Sequence, residues 1–199
     1  MNARVAVFID WQNCYNWARR SFHKEDEPSK CGQIHPLSFS RMLVEKGPPG
    51  RDLTHIGMYR GRPDPRKDPK TYSAHMRHCA AWEAECGTIL TLRTRSLRYP
   101  HDWPKTRAEE KGIDVQFAID AMLLAVRRDY VVAILATADA DLLPVAEGLL
   151  ALKLGGGPGV EIIGWGGVSV RLAVEDVPVR WIGPLDYRAV RDMTDYNIK

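Results

Sequence analysis

The sequence predicts a parallel α/β sandwich, and two features of the 199-residue chain indicate it. Apolar runs of strand length alternate with longer segments of helical periodicity, which is typical of sheets built from strand–helix–strand units. Two of these runs, 5–9 and 131–136, are unbroken by polar residues, as expected of strands buried on both faces. Hydrophobic residues make up 45% of the chain, which excludes a disordered polymer and is enough to build a core.

The predicted elements follow one another in regular order. The strands are Val5–Ile9, Leu53–Tyr59, Thr88–Arg93, Val131–Ala136, Val160–Ile163 and Val179–Ile182. The helices are Trp11–Phe22, Ser40–Glu45, Lys70–Glu85, Ile113–Arg127, Asp141–Leu154 and Val168–Ala173. Polar, proline-rich or glycine-rich segments connect them as loops. The helix at 113–127 is apolar nearly all round, so we expect it to be well buried.

The length predicts a single domain, 1–199, with a basic insertion or loop region around 60–111. No apolar run approaches the roughly 18 residues of a membrane helix, and the first apolar run is too short for a signal peptide. These features predict a cytoplasmic protein with no membrane partner. The four cysteines include no CxxC pair and are expected to be reduced thiols. His75, Cys79 and Cys86 share a helix face with Trp82, which favours core packing over zinc binding.

Charge is concentrated in the middle of the chain. Residues 60–111 carry 12 basic and 7 acidic side chains, and the aromatic residues of this stretch are interleaved with the basic ones. Cationic groups pair with phosphates and aromatic faces stack on unpaired bases, so this stretch indicates a nucleic-acid-binding surface. Ordinary solvated loops are the alternative. The candidate residues are Arg60, Arg62, Arg93, Arg95, Arg98 and Lys111, which the family resemblance described below implies as an RNA-binding groove.

Acidic residues follow the predicted buried strands. Asp10 comes directly after the first strand, Asp139 and Asp141 follow the strand at 131–136, and Asp114 opens the long apolar helix. Ligands of open parallel sheets bind beyond the carboxyl ends of the strands, so we expect the four carboxylates to converge there. Such a set suits Mg²⁺ or Mn²⁺, and these ions support phosphodiester hydrolysis. Helix capping is the alternative role for Asp114 and Asp141.

Two further observations limit the interpretation. Asp120 lies six residues beyond Asp114, which on an ideal helix turns it by about 240° and directs it elsewhere unless it supports the site from behind. The sequence contains no GxGxxG, P-loop, GxSxG or HExxH motif, so no competing chemistry is indicated.

Three segments resemble NYN domains, which belong to the PIN-like ribonuclease superfamily. Residues 8–13, FIDWQN, resemble the family's opening IDxxN motif, and residues 111–122, KGIDVQFAIDAM, are similar to its KGxD…D helix. Residues 134–144, ILATADADLLP, are similar to its SGDxDF-P segment. The three occur in family order and span most of the chain.

The resemblance implies a metal-dependent endoribonuclease on a Rossmann-like, three-layer sandwich. The acidic metal-site residues would be Asp10, Asp114, Asp139 and Asp141, with Asn13 as a polar helper on the first helix. Thr137 and Asp120 are candidates for supporting positions behind them. The chain departs from the family pattern where TA replaces SG at 137–138 and a leucine replaces the aromatic residue at 142.

The sequence therefore predicts an endoribonuclease that uses Mg²⁺ or Mn²⁺ to hydrolyse single-stranded or structured RNA. A nucleic-acid- or protein-binding module of the same fold, with little or no catalysis, is the main alternative. A metal-dependent phosphatase or flap-type DNA nuclease is a third interpretation, because it uses similar carboxylate sites. Homo-oligomer formation is left open.

Overall fold

The computed structural model describes residues 2–167 and 174–198, and its six strands form one parallel sheet in the order β3-β2-β1-β4-β5-β6. The strands are β1 Ala3–Asp10, β2 Arg51–Arg62, β3 Leu90–Ser96, β4 Val132–Ala136, β5 Gly159–Trp165 and β6 Val179–Ile182. The helices are α1 Trp11–Phe22, α2 Pro36–Glu45, α3 Pro69–Cys86, α4 Ile113–Val126, α5 Leu143–Leu154 and α6 Pro184–Val190. The predicted α/β sandwich is thus confirmed, while the helix predicted at Val168–Ala173 lies outside the described residues.

Alternation along the central strand β1 creates the two halves of the core. Val5, Val7 and Ile9 point to one face of the sheet, where α1, α2, α3 and α6 pack. Ala6 and Phe8 point to the other face, which α4 and α5 cover. All five side chains are fully buried, as the unbroken apolar run predicts.

Local capping explains most differences from the predicted boundaries. Helix α2 begins at Pro36 rather than Ser40, because the His35 side chain accepts a hydrogen bond from the Ser38 amide and proline is favoured at the first helical position. Helix α5 begins two residues later than predicted, after a 3₁₀ turn at Ala140–Leu142. Helix α6 was not predicted at all.

Helix α4 corrects one expectation. Its buried residues are Ile113, Phe117, Ala121 and Ala125, which form a single stripe facing the sheet. The opposite face is apolar but open, since Val115 is 60% and Val126 is 67% exposed. The prediction that this helix is well buried rested on its apolar composition alone. The helix lies in an outer layer, so only the stripe that faces the sheet is covered.

The basic stretch 60–111 consists largely of regular structure. It contains the end of β2, all of α3 and β3, and the loop that leads to α4. Cys79, Trp82 and Cys86 of α3 pack into the core. Backbone hydrogen bonds of 2.9 and 3.0 Å between Arg98 and Glu109 close the loop. Among the described helices, none is both long and apolar enough to cross a bilayer.

Candidate active site

The predicted acidic residues lie at the carboxyl edge of the sheet, where the strand order reverses. β1 is paired with β2 on one side and with β4 on the other, so the chain crosses over at this point. In open α/β sheets the loops at such a reversal part and leave a crevice. Asp10 ends β1, and the loop 137–141 leaves β4 directly beside it.

Asp10 is buried and held from two sides. Its Oδ1 caps α1 by accepting a hydrogen bond of 3.1 Å from the Asn13 amide. Its Oδ2 accepts one of 3.1 Å from the Thr137 hydroxyl. Asp10 is 6% exposed. Burial raises the pKa of Asp10 from 3.8 to about 7, and the carboxylates of Glu110 and Asp114 also raise it.

The loop after β4 is fixed by short-range hydrogen bonds. The Thr137 hydroxyl accepts a bond of 3.1 Å from the Asp139 amide, and Asp139 Oδ1 accepts one of 3.0 Å from the Asp141 amide. Asn13 Oδ1 accepts a bond of 2.8 Å from the Ala138 amide. Asn13 and Thr137 therefore orient the loop and Asp10, which places both in supporting positions. Asp141 donates its amide to the turn and leaves its own side chain exposed.

Asp114 lies in the first turn of α4 but does not cap it. The cap residue is Gly112, whose positive φ of 75° is readily adopted by glycine. Asp114 is therefore not the N-cap residue, although its carboxyl accepts a hydrogen bond from its own backbone amide. Burial raises its pKa, as do the neighbouring charges of Asp139 and Asp141. These charge effects indicate that the start of α4 and the loop after β4 bring their carboxylates near one another.

Glu110 is a fifth acidic residue that the sequence analysis missed. It precedes α4, and its Oε1 accepts a hydrogen bond from the Gly61 amide at the end of β2. Burial raises its pKa, and the charge of Asp114 contributes to the increase. Two adjacent acids directly before the KGxD motif were a usable signal. The sequence instead predicted this residue to lie in a basic insertion or loop region around 60–111.

The five carboxylates do not form a tight cluster. Within the described chain, no three of them have oxygens all within 4.8 Å of each other, as expected of like charges with no cation between them. Nor does any Lys, Arg or His nitrogen of the described residues lie within 4.0 Å of them. The more distant charge of Arg60 acts on Glu110 and opposes the increase in its pKa, but the two form no ion pair. A set of oxygen donors without an ion-pair partner fits a hard divalent cation.

A closer trio of metal-binding residues lies elsewhere, at the end of α1. Ligand atoms of His23, Glu27 and Cys31 are within 4.8 Å of one another. Hydrogen bonds account for this proximity, since His23 Nδ1 is 2.7 Å from Glu27 Oε2 and Glu27 also accepts from the Lys24 amide at 2.9 Å. These hydrogen bonds close the loop after α1.

Asp120 does not join the acidic site. Its carboxylate accepts hydrogen bonds from Arg93 Nε at 2.9 Å, Gln116 Nε2 at 3.0 Å and the Tyr59 hydroxyl at 3.3 Å. It lies nearly two helical turns beyond Asp114, as the helical angle predicts. It supports none of the carboxylates described above.

The predicted RNA-binding residues fall into two environments. Arg62, Arg95, Arg98 and Lys111 are exposed, and Arg93 is exposed while it pairs with Asp120. Arg95 lies near the start of α4, because its Nη2 donates to Gln116 Oε1 at 2.8 Å and its Cδ would contact a side chain added at position 112. Arg60 instead lies inside a cavity on the other side of the acidic residues.

Fold and site together define a nuclease-like α/β domain with carboxylates at the strand-order reversal. The sequence profile of the NYN domain matches residues 4–166, so the chain belongs to the NYN domain family, and the resemblance is confirmed. The family has a PIN-like nuclease fold, is generally ribonuclease-like and RNA-related, and typically uses divalent metals.

Solved structures add support for the fold. The chain is similar to the crystal structure of a protein of unknown function, VPA0982, from Vibrio parahaemolyticus. The TM-score is 0.54 at 14% identity, and the alignment covers 92% of this chain and 93% of that one. Such a likeness concerns the fold alone. No curated protein matches the chain.

Proposed function

We propose that this protein is a divalent-metal-dependent endoribonuclease. The observation that carries the proposal is the burial of Asp10 beside other acidic side chains at the carboxyl end of β1. Burial raises the pKa of Asp10, and Glu110 and Asp114 raise it further. No Lys, Arg or His nitrogen of the described residues lies within 4.0 Å of the three carboxylates, while the charge of Arg60 acts on Glu110 from farther away. Burying carboxylates together without a counter-charge is unfavourable, so a bound cation would stabilise the arrangement.

The chemistry of the donor atoms indicates which ion would bind and which residues would hold it. Asp10, Asp114, Asp139 and Asp141 would hold Mg²⁺ or Mn²⁺, and Glu110 would extend the set from the β2 side. When bound, such an ion supplies an activated water molecule and stabilises charge on the phosphate. Asn13 and Thr137 orient the ligands, since they fix the Asp10 oxygens and the loop after β4 through hydrogen bonds. These hydrogen bonds would keep the ligand oxygens in position when one RNA molecule leaves and another binds.

RNA is the substrate that the surrounding surface supports best. Exposed basic residues, Arg95 and Lys111 among them, lie on the segments that lead into the acidic crevice. Their charge would attract the phosphate backbone and hold it across the carboxylates. The family's general relation to RNA adds to this argument. Either single-stranded or structured RNA would meet these requirements.

The test compares cleavage by the full chain with cleavage by two aspartate variants. Labelled RNA and DNA of one sequence are incubated with Mn²⁺, Mg²⁺ or EDTA. We expect the wild type to cleave RNA when metal is present, and Asp10→Asn to lose about 100-fold or more of the rate while staying folded. The matched control is Asp120→Asn, which alters an aspartate outside the cluster and should retain cleavage.

Three results would contradict the proposal. Cleavage in EDTA would exclude a metal-dependent mechanism, and robust cleavage by Asp10→Asn would remove Asp10 from the site. RNA binding by a folded wild type that cleaves nothing at any metal concentration would favour a binding module of the same fold.

A further inference from the structure

A cavity of about 230 Å³ lies between α1, α3 and the end of β2. Helix α1 contributes Trp11 and Tyr15 to its wall, α3 contributes His75 and His78, and Arg60 enters from the end of β2. Pockets that hold drug-sized molecules are usually roughly 300–1,000 Å³. The cavity is therefore of a size suited to one small ring system.

Arg60 gives the cavity a planar cationic surface. Its guanidinium carbon lies 5.3 Å from the ring centre of Trp11 and 5.4 Å from that of Trp82, so two indoles hold the group in place. Nη1 lies 3.1 Å from Nδ1 of His78. No other described residue accepts a hydrogen bond from this guanidinium, so its remaining donors are available to a ligand.

Two residues of the cavity wall also carry unpaired polar atoms. Gln33 and His75 are 8% and 2% exposed, and neither Gln33 Oε1 nor His75 Nδ1 has a hydrogen-bond partner among the described residues. Burial lowers the pKa of His75 to about 3, so the ring is neutral. Both atoms lie behind the wall, and buried polar atoms are rarely left unpaired in proteins, so each gains a hydrogen bond if its side chain turns toward a polar guest.

Aromatic rings complete the wall. The rings of Trp11 and Tyr15 are inclined by only 27° with centres 6.5 Å apart, and Tyr196 stacks on His78 with centres 4.1 Å apart. Aromatic faces, a guanidinium plane, an amide and neutral imidazoles together match an unpaired nucleobase. Proteins read such bases by stacking and by hydrogen bonds to their edges.

Residues of the cavity wall are neighbours of the acidic residues along the backbone. Trp11 follows Asp10 directly, and Tyr59, the residue before Arg60, is the β2 register partner of Asp10. Neighbouring strands are about 4.8 Å apart, and the backbone of Arg60 is one residue from the position paired with Asp10. The amide of Gly61, the next residue, donates to Glu110, and the charge of Arg60 acts on the same carboxylate. A nucleotide whose base occupied the cavity would therefore carry its phosphate toward Glu110 and the other acidic residues.

We propose that this cavity binds one unpaired RNA base that presents a carbonyl oxygen to Arg60, and so selects the bond placed at the carboxylates. The assignment rests on the proposed ribonuclease function for its substrate. Guanine suits the cavity best, because its O6 and N7 accept two hydrogen bonds from one guanidinium. Adenine has no carbonyl oxygen and is expected to bind less well.

The test uses uncharged nucleosides in EDTA, since these avoid repulsion by the metal-free carboxylates and contain no bond to cleave. Guanosine, uridine, cytidine and adenosine are titrated into the full chain and followed by ligand-observed NMR. We expect guanosine to bind at least tenfold more tightly than adenosine. Gln33→Leu should weaken guanosine binding about tenfold without loss of stability, because Gln33 Oε1 has no partner among the described residues.

Two more variants complete the design. Arg60→Lys keeps the charge but not the guanidinium plane, so it should lose the preference for guanosine over adenosine. Gln116→Leu makes the same change outside the cavity and should bind guanosine like the wild type. Equal binding of adenosine and guanosine, or unchanged guanosine binding in Gln33→Leu, would overturn the assignment. A chain that binds guanosine but cleaves no RNA would leave the assignment standing and overturn only the proposed function.

Discussion

The metal-free stability of Asp10→Asn tests the carboxylate site without any substrate. The pKa of the Asp10 carboxyl is 3.8 in the unfolded chain and about 7 in the folded protein, where burial is the largest cause. Between these values the folded protein holds a proton that the unfolded chain releases. The free energy of unfolding therefore decreases as pH rises through this interval and levels off above it. Asparagine cannot ionise, so the variant should not show this decrease.

The size of the change in the free energy of unfolding follows from the difference between the two pKa values of Asp10. At about 1.4 kcal/mol per pH unit, the step from 3.8 to about 7 corresponds to about 4 kcal/mol. The variant keeps the acceptor for the Asn13 amide but replaces the acceptor of the Thr137 hydroxyl, at a cost of about 1 kcal/mol. At pH 8 it should be more stable than the wild type by about 3 kcal/mol, or about 6–12 °C in melting temperature. At pH 5 the gain from removing the charge falls to about 1.6 kcal/mol, so the two proteins should melt within about 2 °C of each other.

The assay is thermal unfolding by circular dichroism in EDTA at pH 5 and pH 8, repeated with Mn²⁺. The control is Asp120→Asn, whose carboxylate is paired with Arg93 and whose loss should not stabilise the protein at either pH. An Asp10→Asn protein that melts below the wild type by the same amount at both pH values would refute the reasoning. That result would mean that the carboxylate stabilises the fold chiefly by capping α1.

Two further predictions concern the metal and the RNA. About 10 mM Mn²⁺ against a Kd of about 0.1–1 mM should stabilise the wild type by roughly 1.4–2.7 kcal/mol, or about 3–10 °C, and Asp139→Asn should lose most of this shift in the same thermal scans. A retained shift would remove Asp139 from the metal site. Arg95→Ala should lower the salt dependence of RNA binding by about one unit of slope, whereas Arg93→Ala should change it less because Arg93 is paired with Asp120. Equal slopes for the two variants, measured by fluorescence anisotropy over a salt series, would contradict this distinction.

The parts of the fold that sequence predicts are those fixed by local patterning. The unbroken run Val5–Ile9 identifies a central strand, and an acid that directly follows such a run lies at a strand end whatever the rest of the chain does. Helix α6 was missed for the corresponding reason. It has seven residues, and its two buried side chains, Tyr187 and Val190, are too few to establish a period.

The parts that sequence did not predict depend on contacts between distant segments. Glu110 reaches the site because the Arg98–Glu109 bridge closes a long loop and the Gly61 amide donates a hydrogen bond to its carboxylate. Arg60 was predicted as a phosphate contact, but two indoles from different helices enclose it. The adjacent acids at 109–110 mark Glu110 as a candidate, but its contact with β2 and the enclosure of Arg60 are both determined by which elements meet in the folded chain.

The strand order itself connects folding to the proposed chemistry. β1 lies between β2 and β4, so the residue that ends it is covered by neighbouring strands and by the first turn of α1. An aspartate at that position has little access to water, and its charge must be balanced by a proton or by a cation. A proton balances it below about pH 7, whereas above that value the balance would come from the metal. Metal affinity should therefore increase with pH over the same range in which the metal-free protein loses stability, since both changes report the ionisation of one carboxyl.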